Sequence, residues 1–409
     1  MKKILMVADG VTMAHVTRME QLSRQIDRAD FEIHFAAPEN YFHLLSFDQP
    51  FAAPPYKIRS VPTDLFVDRL FKNHFPWKPS ELDQQLNEDL ELIERVQPDL
   101  VIGDTRLSLG VACARTSVPY FNMMNFQWHS NYHRPQFVPH AQVVELFGRK
   151  ISELVAPAVV PLILNGQLKT INSWLKSVGS NPVKTIYEFY GQGDFLLFPD
   201  LMDFFKNYPT PTNSCFIGPL IWKSPKLQWP SEWTTVEKGK AKYAMLSMGS
   251  SGATKLSASL IRSLVELDFE VLYSGSKVSL EDTDENKVHH SAFFPMDEVL
   301  KVCSLAVGNG GIATTYQFLS VAMPFYSIPN NLDQYLNVNI LKNFELSDHQ
   351  NISNFSAKKF KSQINKLMTS AELPINLSTY QRKIIKTLAK STVSEFLKVN
   401  SAAKKYQAV

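Results

Sequence analysis

Short apolar runs alternate along this chain with stretches in which apolar residues recur every three or four positions. Residues 3–8 form a run of the length expected of a strand buried on both faces. Asp9-Gly10-Val11-Thr12 reads as a turn. Thr12 is the predicted N-cap of a helix whose Val16, Met19, Leu22 and Ile26 share one face. Residues 31–37 are the next strand. The rhythm then returns. Residues 86–96 read as a helix with Leu86, Leu90 and Ile93 on one side, Pro98-Asp99 as a turn, and 100–103 as a strand. A small-residue helix over 107–116 and a strand over 119–122 follow. Such alternation across short loops predicts an α/β protein with a doubly wound parallel sheet.

Residues 125–193 break the rhythm. They are rich in aromatics, His and Pro and read as helical and loop insertions around a pocket. Residues 195–198 look like one more strand, and 216–220 close the region. The stretch 221–240 reads as a linker; its residues 223–240 hold Pro225, Pro230 and two Trp without sustained periodicity. A second α/β unit begins at residue 241. Strands are expected at 243–247, 270–273, 305–307 and 325–328, with a helix over 256–267. The expected organisation is therefore one domain over 1–220, a linker, a second domain over 241–373, and a helical tail over 374–409 that packs back across the domains. Two doubly wound domains would face a central cleft, where such folds bind ligands.

Composition narrows the function. The 409 residues are 44% hydrophobic and 20% charged, which fits globular domains and excludes disorder. Lys plus Arg number 42 and Asp plus Glu 39, a net charge of +3 that does not suit a nucleic-acid partner. Cys113, Cys215 and Cys303 are too far apart for a zinc or redox pair and fit a reducing cytoplasm. The apolar run after Lys2-Lys3 ends at Asp9, too early for a signal peptide. Residues 155–164, with Pro157 and Pro161, are far short of a span. A cytoplasmic protein is expected, with peripheral membrane contact left open.

Gly308-Asn309-Gly310-Gly311-Ile312-Ala313-Thr314-Thr315 follows a strand and opens a helix. Adjacent glycines bring backbone amides close to a ligand, and a helix start favours an anion such as a diphosphate. The same letters match a dinucleotide fingerprint through Gly308, Gly310 and Ala313, with Asp333 further on. This motif alone therefore leaves an NAD-dependent oxidoreductase open. Asp333-Gln334, after the next strand, offers acceptors and an amide suited to neighbouring sugar hydroxyls.

Together, residues 293–337 resemble the donor-binding region of the family 1 glycosyltransferases, which are GT-B enzymes using nucleotide diphosphate sugars. Phe293-Phe294-Pro295-Met296 stands for their W-x-P-Q, residues 309–315 for H-G-G-x-G-T-T, and Asp333-Gln334-Tyr335-Leu336-Asn337 for D-Q-x-x-N. Asn309 replaces the family His, Phe293 the Trp and Met296 the Gln. The loop 247–252, with Ser250 and Ser251, looks like the phosphate-side loop. The resemblance implies donor contacts from Ser250, Ser251, Phe293, Met296, Asn309, Gly310, Gly311, Thr314, Thr315, Asp333 and Gln334.

It also places His15 at the catalytic base and Asp104 at the acid that orients it. A helix start disfavours an imidazolium, which agrees with a base. Arg18, one turn on, is expected on the phosphate side. Phe126, Trp128, His129 and Tyr132, with His133 and Phe137, are the expected acceptor wall, with ordinary core packing as the alternative. Asp282-Thr283-Asp284 spells the D-x-D of metal-dependent transferases but sits in an acidic stretch and reads as a solvated loop. His289-His290 lacks carboxylate partners at ligand spacing, so no metal site is expected. The implied activity is inverting, metal- and cofactor-independent transfer from a UDP- or dTDP-sugar to a hydroxyl of a hydrophobic or aromatic small molecule or lipid. A nucleotide-sugar epimerase and a binding-only relative stay open beside it. The sequence does not set the oligomeric state.

Overall fold

All strand pairings found are parallel, and they form two sheets. A computed structural model describes residues 1–45, 51–132, 142–223, 228–237, 239–249, 256–280, 283–390 and 392–401. The chain divides into two units. The first comprises Met1–Pro135, Val155–Leu220 and Thr387–Val409; the second comprises Gln136–Leu154 and Ile221–Lys386.

The first unit holds β1 (Lys2–Ala8), β2 (Phe31–Ala37), β3 (Tyr56–Lys57), β4 (Leu100–Asp104), β5 (Tyr120–Met123), β6 (Phe195–Phe198) and β7 (Ser214–Phe216). Their order is β3-β2-β1-β4-β5-β6-β7, the doubly wound pattern expected. The period-2 geometry of a strand explains the unbroken apolar run in β1. Leu5 and Val7 enter one core with Val101, Leu109 and Trp174. Ile4, Met6 and Ala8 enter the other, with Leu100, Ile102 and the Val16–Met19–Leu22–Ile26 face of the Met13–Arg24 helix. A strand covered on both sides has no position left for a polar residue. The Val393–Asn400 helix belongs to this unit and buries Val393 and Leu397 in the second of these cores.

The second unit holds β8 (Tyr243–Ser247), β9 (Glu270–Ser274), β10 (Val288–Ser291), β11 (Cys303–Gly308), β12 (Phe325–Ser327) and β13 (Asp348–His349), ordered β10-β9-β8-β11-β12-β13. Gly308 lies level with Ser247 on one side and Ser327 on the other, so the loops after β8, β11 and β12 leave the sheet together.

Some elements differ from the sequence reading. The helix expected over 86–96 begins earlier and spans Pro79–Val96, with proline in its first turn and the Glu81 carboxylate accepting from the Lys78 amide at 2.8 Å. Part of the stretch read as a linker is packed. Trp233 is buried, donates its Nε1 hydrogen to the His290 carbonyl at 3.3 Å, and stands 5.4 Å from the Phe294 ring. The tail is two helices, Leu373–Ala389 and Val393–Asn400. Among the described residues no single helix is long and apolar enough to cross a membrane. One pair, Lys150–Ala156 and Ala158–Ser177, bent by 67°, meets that test jointly by length and composition.

Candidate active site

β1 and β4 are neighbours in register, with Ala8 opposite Asp104. The turn after β1 therefore delivers the Met13–Arg24 helix to the same sheet end where Asp104 finishes β4. His15 is the third residue of that helix. Thr12 holds the N-cap position in an extended conformation but makes no side-chain cap. His15 Nδ1 lies 3.0 Å from Asp104 Oδ1. Thr105, with φ of 60°, is left-handed, a conformation that costs a non-glycine residue about 1–2 kcal/mol. That turn brings Thr105 Oγ1 within 3.0 Å of both His15 Nδ1 and Asp104 Oδ1.

Arg18 is not free to serve as a phosphate counter-charge, as the sequence suggested. Its Nε donates to Asp104 Oδ2 and its Nη2 to Oδ1, while Nη1 donates to Asn125 Oδ1 at 2.7 Å. Nη2 also lies 3.1 Å from His15 Nδ1. The Asp104 carboxyl feels burial first, which pushes it up. The Arg18 charge and the hydrogen bonds from Arg18 and His15 outweigh this and hold it well below the usual carboxylate range. An ionised Asp104 can only accept, so the His15 tautomer that pairs with it carries its hydrogen on Nδ1. Nε2 is then a lone pair, and no described residue bonds it.

A second buried network lies behind this one, and no local sequence signal announces it. Arg106 donates to Asp89 at 2.9 Å, to Glu88 at 3.0 Å and to the Arg59 carbonyl at 2.6 Å. Ser108 also donates to Asp89. Asp9, fully buried at the end of β1, accepts from Ser60 and from Gln85 Nε2 at 2.9 Å, and its amide donates to the Asp104 carbonyl at 3.1 Å. Burial pushes the Asp9 carboxyl up and the Asp89 carboxyl to about 6, against the lowering influence of Arg106. Arg106 thereby anchors the chain beyond Thr105 and braces its left-handed turn. Only the Asp104-Thr105-Arg106 run directly after an apolar strand hints at this.

In the second unit the glycine motif sits at the end of β11. Gly310 has φ of 77°, and a Cβ there would stand 2.4 Å from Val338 Cγ1, so glycine is required. Gly311 is the N-cap of the Ile312–Ser320 helix. The amides of Ile312, Ala313 and Thr314 open that helix with no partner four residues back in the helix. Asn309 is among the residues expected to contact the donor. Its Nδ2 instead donates to the Met248 carbonyl at 2.8 Å, and its Oδ1 accepts from the Gly311 amide at 3.0 Å. Thr315 is buried and bonds the Ile312 carbonyl at 2.9 Å and Asn337 Nδ2 at 2.9 Å, so its hydroxyl serves the fold. Thr314 stays partly exposed.

Asp333 is half-buried in the first turn of the Leu332–Asn343 helix. Gln334 is buried, and its Oε1 accepts from the Asn330 amide at 2.7 Å, which turns that oxygen inward. Phe293 is 47% exposed, and Met296 begins the Met296–Val302 helix. Ser250 and Ser251 lie outside the described residues, as do His133, Phe137 and Asp282. Asp284 accepts from the Asn286 amide at 3.1 Å and caps a local turn.

The proposed acceptor wall divides. Phe126 is fully buried among Phe198, Phe205 and Phe216, with ring centres 4.9–5.5 Å away. Tyr132 is buried against Tyr208 at 5.0 Å and Phe205 at 5.8 Å. Both are core residues, because an aromatic ring buried on every side has no face left for a ligand. Trp128 and His129 remain half-buried; Trp128 lies 5.7 Å from Tyr190, and His129 Nδ1 accepts from the Asn131 amide at 3.1 Å.

No protein-family model matches the chain. A curated relative, the PGL/p-HBAD biosynthesis rhamnosyltransferase of Mycobacterium bovis (strain BCG / Pasteur 1173P2), is 28% identical over 343 residues, covering 82% of this chain and 74% of the relative. Among solved structures, the glycotransferase of kitacinnamycin superposes with a TM-score of 0.71 at 16% identity, over 97% of this chain and 98% of that one. Glycosyltransferase VinC in complex with dTDP gives 0.66 at 16% identity, over 97% and 99%. The nicotinamide reading of the glycine motif falls away. The two parallel sheets have the GT-B fold of these solved structures, and the chain is similar in sequence to curated glycosyltransferases.

Proposed function

We propose that the chain transfers a sugar from a UDP- or dTDP-sugar to a hydroxyl of a hydrophobic or aromatic small molecule or lipid, with inversion and without a metal or cofactor. The observation that carries this reading is the His15–Asp104 pair at 3.0 Å, with Nε2 unbonded by any described residue. The donor class is supported by the glycine turn before the Ile312–Ser320 helix and by the dTDP bound to VinC. His15 Nε2 takes the proton of the acceptor hydroxyl as its oxygen attacks the anomeric carbon. The bond from that carbon to the diphosphate breaks, and the diphosphate leaves with the electron pair. The amides of Ile312, Ala313 and Thr314 and the helix N-terminus stabilise the departing charge. Asp104 keeps the imidazole in the required tautomer, Phe293 stacks on the base, and Asp333 accepts from the sugar hydroxyls.

Substitution of His15 by Ala lowers turnover by about 10²–10⁴-fold with little change in donor affinity. Turnover equal to the parent would remove His15 as the base. Activity kept in excess EDTA is the matching test of metal independence.

A further inference from the structure

Proton transfer to His15 does not by itself require Arg18, yet Arg18 grips both oxygens of Asp104. This is the two-pronged pairing in which a guanidinium matches a carboxylate. The grip is fixed from behind. Asn125 accepts from Arg18 at 2.7 Å and donates in turn to Asp200 at 2.9 Å, which ties the ends of β5 and β6 to the helix that carries His15.

Asp104 is fully buried, and an ionised carboxylate there needs a counter-charge. Two groups are placed to supply it: Arg18, and His15 at 3.0 Å. If His15 were the sole partner, the pair would settle as imidazolium and carboxylate. An imidazolium has no lone pair and cannot accept a proton. We infer that Arg18 is a positioning residue: it neutralises Asp104 in place of a protonated His15, which leaves the imidazole able to act as a base. The inference rests on the reading of His15 as the base. Among the groups that outweigh the burial of the Asp104 carboxyl, the Arg18 charge comes first.

Other charged groups lie around the pair. Asp9, at the end of β1, has a carboxyl raised by burial and held by Ser60 and Gln85, with Arg106 behind it. Asp200 stands behind Asn125. On the helix itself Glu20 and Arg24 pair with each other at 2.8 Å. None of these grips both oxygens of Asp104.

The test follows the His15 ring by NMR in substrate-free protein as pH is varied, alongside the pH dependence of kcat/KM. In Arg18→Gln the ring titration and the acidic limb of the profile both move to higher pH by about one to three units, and activity returns as pH is raised. Arg18→Lys keeps the charge and leaves the ring titration near the parent's. Asp104→Asn leaves the Arg18 cation facing the ring with no carboxylate between them and moves the titration to lower pH. That variant keeps the test open if Arg18→Gln does not fold. An unmoved ring titration in Arg18→Gln, or an upward move in Asp104→Asn, overturns the inference whatever happens to activity. Full turnover in His15→Ala would sink the base reading separately, because the ring measurement needs no substrate.

Discussion

The Asn309 side chain bridges two loops: its amide donates to the Met248 carbonyl at 2.8 Å while its carbonyl oxygen accepts from Gly311 at 3.0 Å. It thus ties the end of β8 to the glycine turn after β11. Asn309→Ala leaves the Met248 carbonyl and the Gly311 amide unpaired in a buried place, at a cost of about 1–3 kcal/mol. Denaturant unfolding should show that loss, together with weaker donor binding as the turn relaxes. Donor binding lost at unchanged stability would mean that Asn309 touches the ligand instead.

Asp89 makes stability depend on pH. Burial pushes its carboxyl to about 6 in the folded protein, against about 3.9 in an unfolded chain. The folded state therefore binds this proton more tightly. The associated stability is present below about pH 4 and is lost as pH rises through about 6, roughly 3 kcal/mol in all. Asp104 has the opposite sign and acts lower, its stabilisation lost as pH falls below the usual carboxylate range. Unfolding midpoints of Asp89→Asn between pH 4 and 6.5 should be flatter than the parent's. An equal slope would assign the titration to another group.

Phe126 and Trp128 are two residues apart and should answer differently. Phe126→Ala opens a cavity in the first unit's aromatic core and costs about 3–5 kcal/mol. Trp128→Ala removes a half-buried ring. It should change unfolding free energy by about 1 kcal/mol or less and raise KM for the acceptor while leaving KM for the donor alone. The same stability loss for both would make Trp128 a core residue too.

Asp333 is proposed to hold the sugar and not the nucleotide. Asp333→Ala should weaken an intact nucleotide sugar about tenfold, near 1.4 kcal/mol, and leave the free nucleoside diphosphate nearly unaffected. Calorimetric titration of the two ligands gives the comparison. Equal weakening would place Asp333 on the nucleotide or in the fold.

What was legible in the sequence is what is encoded locally. The runs that become β1, β4 and β11 are apolar because they are covered on both faces, and that constraint is written in consecutive residues. The edge strands β3 and β13 have two residues each and carry no such run, since only the neighbouring strand makes them strands. His15 and Asp104 could be paired through a known motif. Their partner Arg18 reads in the sequence as a phosphate-side charge, because a sequence shows a charge without showing what neutralises it. Asp9, Asp89 and Arg106 are linked by sheet order across about 100 positions, so no window of sequence contains them. Asn309 and Thr315 match ligand motifs by letter, yet the hydrogen bonds described for them go to the fold, as does the one that Gln334 Oε1 accepts.

The Val393–Asn400 helix lies on the first sheet. Ser394 accepts from the Asp27 amide at 2.8 Å, Lys2 donates to Ser401 at 2.7 Å, and Val393 and Leu397 fill a core begun by residues 4–37. A ribosome makes those partners more than 350 residues apart. While the second unit is being synthesised, the part of one apolar face of the first sheet that the Met13–Arg24 helix leaves open waits for a cover that has not yet been made. Closing so long an intervening segment adds only slowly to the entropic cost, but exposure during translation lasts as long as synthesis does. The second unit should therefore be able to complete its fold before the first, which reverses the order in which their sheets begin to emerge.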